Sequence, residues 1–149
     1  MKLFTSILSL LLFLNHSLKA QDKIIPIDNI LDASFFQGTY QEALQEAKKL
    51  RKPILLTFSA SWCQPCQKLE AESFSEPEVA SLLSLRYVSK IVDVEQFTGM
   101  DVADIYKVSE YPITIILDER GKELERLKGF FPPEYLLKTL LKYKKTISK

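Results

Sequence analysis

Cysteine is scarce in this 149-residue chain, which has two, Cys63 and Cys66. Two thiols at C-x-x-C spacing cannot cross-link a small domain, so a disulfide-stapled scaffold is excluded. Histidine is scarcer: the single one, His16, lies within the first twenty residues. If those residues are removed, no histidine remains, which rules out a Cys–His hydrolase and any His-ligated metal site. Structural zinc wants four ligands, and the two cysteines supply only half a site. Cu(I) held between two thiolates would have no methionine cluster behind it. Excess basic charge is also missing: the formal net charge is +1, which gives no argument for a nucleic-acid partner. No internal repeat or low-complexity segment is found.

Long apolar runs are equally absent. Leu3 to Leu14 is the only sustained one, at about 12 residues against the roughly 20 a membrane-spanning helix needs. It follows Met1-Lys2, is broken by Asn15, His16 and Ser17, and leads to Leu18-Lys19-Ala20. This is the layout of a secretory signal peptide cleaved after Ala20. Leu18 is larger than the ideal residue at its position, which keeps an uncleaved membrane anchor as the alternative. Removing residues 1–20 takes Lys2 and Lys19 and no acid, so 20 basic side chains become 18 against 19 acidic ones, formally −1. The expected organisation is a signal peptide at 1–20, an N-terminal extension at 21–38 with a short strand at Ile24–Ile27, and one domain at 39–149.

What is present is an alternation of helices and strands. Thr39 and Glu42 form a capping box ahead of Tyr40, Ala43, Leu44, Ala47 and Leu50 at helical spacing, and Pro53 stops that helix. Ile54 to Phe58 is a short apolar run expected of a strand covered on both faces. Helix follows at Gln64 to Ser73, and a second capping box over Ser75-Glu76-Pro77-Glu78 opens another through Val79, Leu82 and Leu83. Tyr87 to Val94 reads as strand. Met100 to Tyr106 reads as helix with Val102, Ile105 and Tyr106 inward. Ile113 to Leu117 is the third apolar strand, Lys122 to Lys128 alternates as its hairpin partner, and Pro132-Pro133 opens a helix striped by Leu136, Leu137, Leu140 and Leu141. This order predicts an α/β domain with a mixed central sheet covered on both faces.

Cys63 falls where a strand ends and a helix begins, with Cys66 one turn inside. A thiol attacks as its thiolate, and a helix N-terminus lowers a thiol pKa through its free N–H groups and dipole. Cys63 is therefore expected to be the exposed attacking nucleophile, and Cys66, partly buried, the resolving thiol. The exchange needs no cofactor and no metal.

The stretch Trp62-Cys63-Gln64-Pro65-Cys66 after an apolar strand resembles the W-C-x-P-C motif of the thioredoxin superfamily. Tyr111-Pro112 before the third strand matches that family's cis-proline, and a hairpin, Gly129 and a last helix follow in order. The resemblance covers roughly Thr39 to Tyr143. Glu70 to Val79 is similar to the stretch after the active site in exported thioredoxin-like proteins, among them the C-terminal domain of the bacterial membrane thiol reductase. It implies a thioredoxin fold and thiol–disulfide exchange outside the cytoplasm. It further implies reduction or isomerisation of disulfides in substrate proteins, with a thiol electron donor such as a membrane reductase. A monomer is expected.

The same resemblance assigns substrate contact to Trp62, Gln64, Pro65, Tyr111, Pro112 and Phe130. Gln64 would tune the redox potential. Trp62 is either a rim residue or a packing residue, and Phe130 and Phe131 either extend a docking surface or join the core. One departure stands out. The buried aspartate usual six residues before the first cysteine is Thr57 here, and the lysine that often pairs with it falls near Ile91. Glu70, four residues after Cys66, is the candidate replacement proton carrier, with a solvated helix glutamate as the alternative. Two other classes stay open: a thioredoxin-fold binding module with incidental redox activity, and a metal chaperone.

Overall fold

The computed structural model describes residues 35–143. The signal-peptide and Ile24–Ile27 readings lie outside the described residues. Helix α1 spans Tyr40–Leu50, and its capping box forms as the sequence requires: Thr39 Oγ1 accepts the Glu42 N–H while the Glu42 carboxylate takes the Thr39 N–H at 2.7 Å. The helix ends at Arg51, in the left-handed region at φ 52°, two residues before Pro53. Strand β1, Ile54–Ser59, is buried at every position. It is the middle of the molecule, with β2 (Val88–Asp93) parallel on one side and β3 (Ile113–Leu117) antiparallel on the other. Strand β4, Glu123–Lys128, completes a four-stranded sheet of order β2-β1-β3-β4.

The alternation of β1 divides the core in two. Ile54, Leu56 and Phe58 point into one cluster, shared with Tyr40, Ala43, Ala47, Val102, Tyr106, Cys63 and Cys66. Leu55 points the other way, into a cluster with Leu69, Phe74, Val79, Leu83, Tyr87, Phe131, Leu136 and Leu140. The segment Leu69–Phe74, which follows α2 (Gln64–Lys68), serves this second side with α3 (Pro77–Arg86) and α5 (Pro133–Tyr143), whereas the buried residue of α2, Cys66, lies in the first cluster; α4 (Phe97–Ile105) packs along β2. Gly99 permits that approach, since a Cβ there would lie 1.9 Å from the Asp93 carbonyl oxygen. No helix among the described residues is long and apolar enough to cross a membrane.

Four local expectations need correction. The helix after the cysteines does not run as α to Ser73; from Leu69 to Phe74 it widens into a π turn. The second capping box is absent because α3 begins one residue later than Ser75 would require. Glu76 is the N-cap and accepts the Val79 N–H at 3.0 Å, while Ser75 Oγ donates back to the Ala71 carbonyl. Helix α4 starts at Phe97, and its rotation leaves Ile105 59% exposed while Val102 and Tyr106 face inward. Leu50 and Leu141 are partly solvated at the margins of their stripes.

The chain joins the sheet before α1. Phe35 bridges Ser89 in parallel, the Phe36 N–H donates to the Ser89 carbonyl at 2.6 Å, and the Phe35 ring meets Phe74 edge-on at 5.4 Å.

Candidate active site

Because β1 and β2 are parallel, their carboxyl ends adjoin, Ser59 opposite Asp93. The loops leaving those ends lie side by side, and the cysteines sit on the first of them. Cys63 is the N-cap of α2: its carbonyl accepts the Cys66 and Gln67 N–H groups at 3.1 and 3.2 Å, and its Sγ accepts the Cys66 N–H at 3.3 Å. Pro65 occupies the first turn, where a missing N–H costs nothing. Cys63 and Cys66 are joined as a disulfide with Cα atoms 5.3 Å apart. In the dithiol form the same Cys66 N–H and the helix dipole are placed to favour negative charge on Cys63 Sγ.

The burial of the pair corrects an expectation. Cys63 is 4% exposed and Cys66 1%, so in the disulfide form neither is the exposed tip that the sequence suggested. The Cys63 side chain turns down from the loop into the core cluster while its neighbours stay outside. Trp62 is 66% exposed, and Gln64 and Pro65 are exposed too. The Trp62 ring meets Tyr111 edge-on at 6.1 Å. The Tyr111–Pro112 bond is cis, Pro112 is buried, and its carbonyl accepts the Gly129 N–H at 2.9 Å, with Gly129 at φ 70°. Trp62, the disulfide, Tyr111 and Pro112 therefore stand together.

A model of the thioredoxin-like domain family matches residues 40–144. The chain belongs to that family. It is 28% identical over 140 residues to the thiol:disulfide interchange protein DsbD of Campylobacter jejuni strain RM1221, covering 89% of this chain and 24% of that relative. It thus spans about a quarter of the curated relative's length. Among solved structures, a thioredoxin from Thermus thermophilus superimposes with a TM-score of 0.66 at 28% identity, covering 74% of this chain and 87% of the other. The DsbH oxidoreductase superimposes with a TM-score of 0.63 at 25% identity, covering 85% and 96%. The fold is the thioredoxin fold, with a disulfide-bonded C-x-x-C pair at the start of α2.

Within this thioredoxin-like frame, the position of the usual buried acid is dry and uncharged. Thr57 is 1% exposed, and its Oγ1 lies 3.0 Å from Thr114 Oγ1 across the β1–β3 pairing. Its partner on β2 is Ile91, whereas Lys90 pairs with Leu56 and faces Glu42. Burial holds the Lys90 amine below its usual range, partly countered by the Glu42 charge. Glu70 lies in the π turn, and Ser59 Oγ donates to its Oε1 at 3.1 Å. Both line a cavity of about 240 Å³ together with Ser61, Gln67, Asp93 and Glu95. Phe130 stands apart from the cysteine cluster: it packs with the second core, and Lys68 Nζ lies 4.3 Å over its ring. Phe131 is core.

Sequence reasoning missed Ser59, Gln67, Asp93 and Glu95. Ser59 shares the β1 face of Thr57 by simple alternation, and that parity could have found it. Glu95 needed the parallel β1–β2 pairing, which brings together loops more than thirty residues apart.

Proposed function

We propose that this protein is an exported thiol–disulfide oxidoreductase that reduces or isomerises disulfides in other proteins. The observation that carries the proposal is the Cys63–Cys66 disulfide at the start of α2, flanked by the exposed Trp62 and by Tyr111–Pro112. In the reductive direction the Cys63 thiolate attacks one sulfur of a substrate disulfide and expels the other as a thiolate. Cys66 then loses its proton and attacks Cys63 Sγ, which frees the second substrate sulfur and closes the Cys63–Cys66 bond. Two electrons pass to the substrate, whose sulfurs take up two protons.

Glu70 is proposed to receive the Cys66 proton, held for that role by Ser59 and open to the cavity it lines. Tyr111 is proposed to offer its backbone to an extended substrate segment, with Trp62, Gln64 and Pro65 forming the rest of the rim. Phe130 is left out of this surface because its half-buried ring packs against the second core. The apolar segment at Leu3–Leu14 and the relation to a thiol:disulfide interchange protein support a periplasmic or secreted location. A thiol donor, such as a membrane reductase, then re-reduces the monomer.

Insulin reduction by the purified protein, beside Cys63→Ser and Cys66→Ser variants, tests the reading. Dithiol-dependent turnover in wild type, and a mixed disulfide trapped on Cys66→Ser, are expected. No turnover and no trapped species would overturn it.

A further inference from the structure

We propose that Glu95 is a positioning residue for the Cys63 thiol, its carboxylate clipping the Ser61 peptide and so fixing the loop that delivers Cys63. The proposal rests on the oxidoreductase reading above and concerns how that site is held. Ser61 is gripped through both of its backbone polar groups. Its N–H donates to Glu95 Oε2 at 2.6 Å, and its carbonyl accepts Gln67 Nε2 at 2.8 Å. Ser61 lies two residues before Cys63 and Gln67 directly after Cys66, so the two bonds embrace the pair from both ends.

Glu95 is itself braced. Its N–H donates to Asp93 Oδ1 at 2.9 Å, and Asp93 Oδ2 takes Gln96 Nε2 at 2.8 Å. Asp93 ends β2, so the brace is anchored in the sheet, and the Val94 N–H bonds the Ser59 carbonyl at 3.0 Å beneath it. The charge-assisted bond from a backbone N–H to a carboxylate is the strong member of this set. Its importance rises on reduction. While the disulfide exists, a covalent bond ties Cys63 to α2. Once it opens, the segment is held by packing, through the Trp62–Tyr111 contact and the burial of Cys63, and by hydrogen bonds: the Cys63 N–H to the Ala60 carbonyl, the first turn of α2 and the two grips on Ser61. Displacement of a nucleophile by a fraction of an ångström costs rate, because in-line attack on a disulfide depends on a preset approach.

The test compares the purified full-length wild type with Glu95→Ala and Glu95→Gln. Three readouts are taken on the reduced proteins: the second-order rate with a disulfide-bonded peptide between pH 5 and 9, amide exchange at Ser61, and thermal unfolding. Glutamine keeps the acceptor and removes the charge. The clip predicts that Glu95→Ala reacts about tenfold more slowly at its plateau and exchanges Ser61 faster, while Glu95→Gln stays within about twofold of wild type. Glu95→Ala reacting at the wild-type rate overturns the proposal. So does Glu95→Gln as slow as Glu95→Ala, which would make the charge the cause, and so does a rate loss that tracks loss of folded protein. If wild type does not react with the peptide while Ser61 still exchanges faster in Glu95→Ala, the clip stands and the oxidoreductase reading fails.

Discussion

Replacing Thr57 with aspartate restores the acid usual in thioredoxins and makes a quantitative demand on the structure. Thr57 is 1% exposed, with Thr114 as its hydroxyl partner and Ile91 in register on β2. Among the described residues, a carboxyl group there has the Thr114 hydroxyl as a donor and no cation in register beside it. Desolvation of that kind raises a carboxyl pKa by about 3 units, or roughly 4 kcal/mol. A bond from the Thr114 hydroxyl offsets about 1 kcal/mol, leaving a deficit near 3 kcal/mol at pH 8. The sign follows from linkage. Below pH ~4 the group is protonated in both states, and the deficit is small. Above that the unfolded chain ionises and the folded one does not, so the deficit grows by about 1.4 kcal/mol per pH unit until the folded group titrates, at about pH 6. Urea unfolding followed by far-UV circular dichroism at pH 4.5 and pH 8 reads this directly. Adding Ile91→Lys supplies a cation in register and should recover most of the loss at pH 8. A Thr57→Asp deficit below about 1 kcal/mol at pH 8, or one equal at both pH values, would refute the claim that this position is dry.

Other perturbations follow from buried polar groups and close contacts. Tyr106 Oη donates to the Gly121 carbonyl at 3.0 Å and so accepts from Tyr40 Oη at 2.5 Å; Tyr106→Phe should cost about 1–2 kcal/mol near neutrality in a thermal or urea melt. Burial pushes the Tyr106 hydroxyl well above the usual phenol range, so wild type loses stability as pH rises past about 10 and the gap to Tyr106→Phe narrows there. Gly99→Ala places a methyl 1.9 Å from the Asp93 carbonyl oxygen and should destabilise by about 2–3 kcal/mol while slowing turnover, because Asp93 braces Glu95. Ser89 Oγ is buried without a hydrogen-bond partner among the described residues, so Ser89→Ala should raise the urea midpoint by the equivalent of about 0.5–1 kcal/mol.

What could be read in the sequence was local or repeated in a pattern. The Thr39–Glu42 cap, the apolar run of β1, Pro65 in a first turn and the C-x-x-C spacing each need only a few adjacent residues. The family resemblance put the usual paired lysine near Ile91, with Lys90 leaving the register open, and the strand pairing places Ile91 opposite Thr57. Three things did not follow. The π turn at Leu69–Phe74 has no composition to announce it, since its residues suit an α-helix equally well. The burial of Cys63 depends on how the loop folds down onto the core rather than on its place at a helix start. The Ser61–Glu95 bond joins two exposed polar residues that no hydrophobic period marks.

The order β2-β1-β3-β4 leaves two sheet margins, and they are guarded differently. On β4, Glu123, Glu125, Arg126 and Lys128 crowd the strand with charge. On β2, the bridge of Phe35 to Ser89 and the bond from the Phe36 N–H occupy backbone groups that would otherwise be open to another chain. Exposed strand margins are templates for intermolecular pairing. The few residues preceding α1 thus act as a guard against self-association: a chain shortened to begin at Gly38 would keep its cysteines and its helices, yet offer β2 as a site for sheet-to-sheet aggregation.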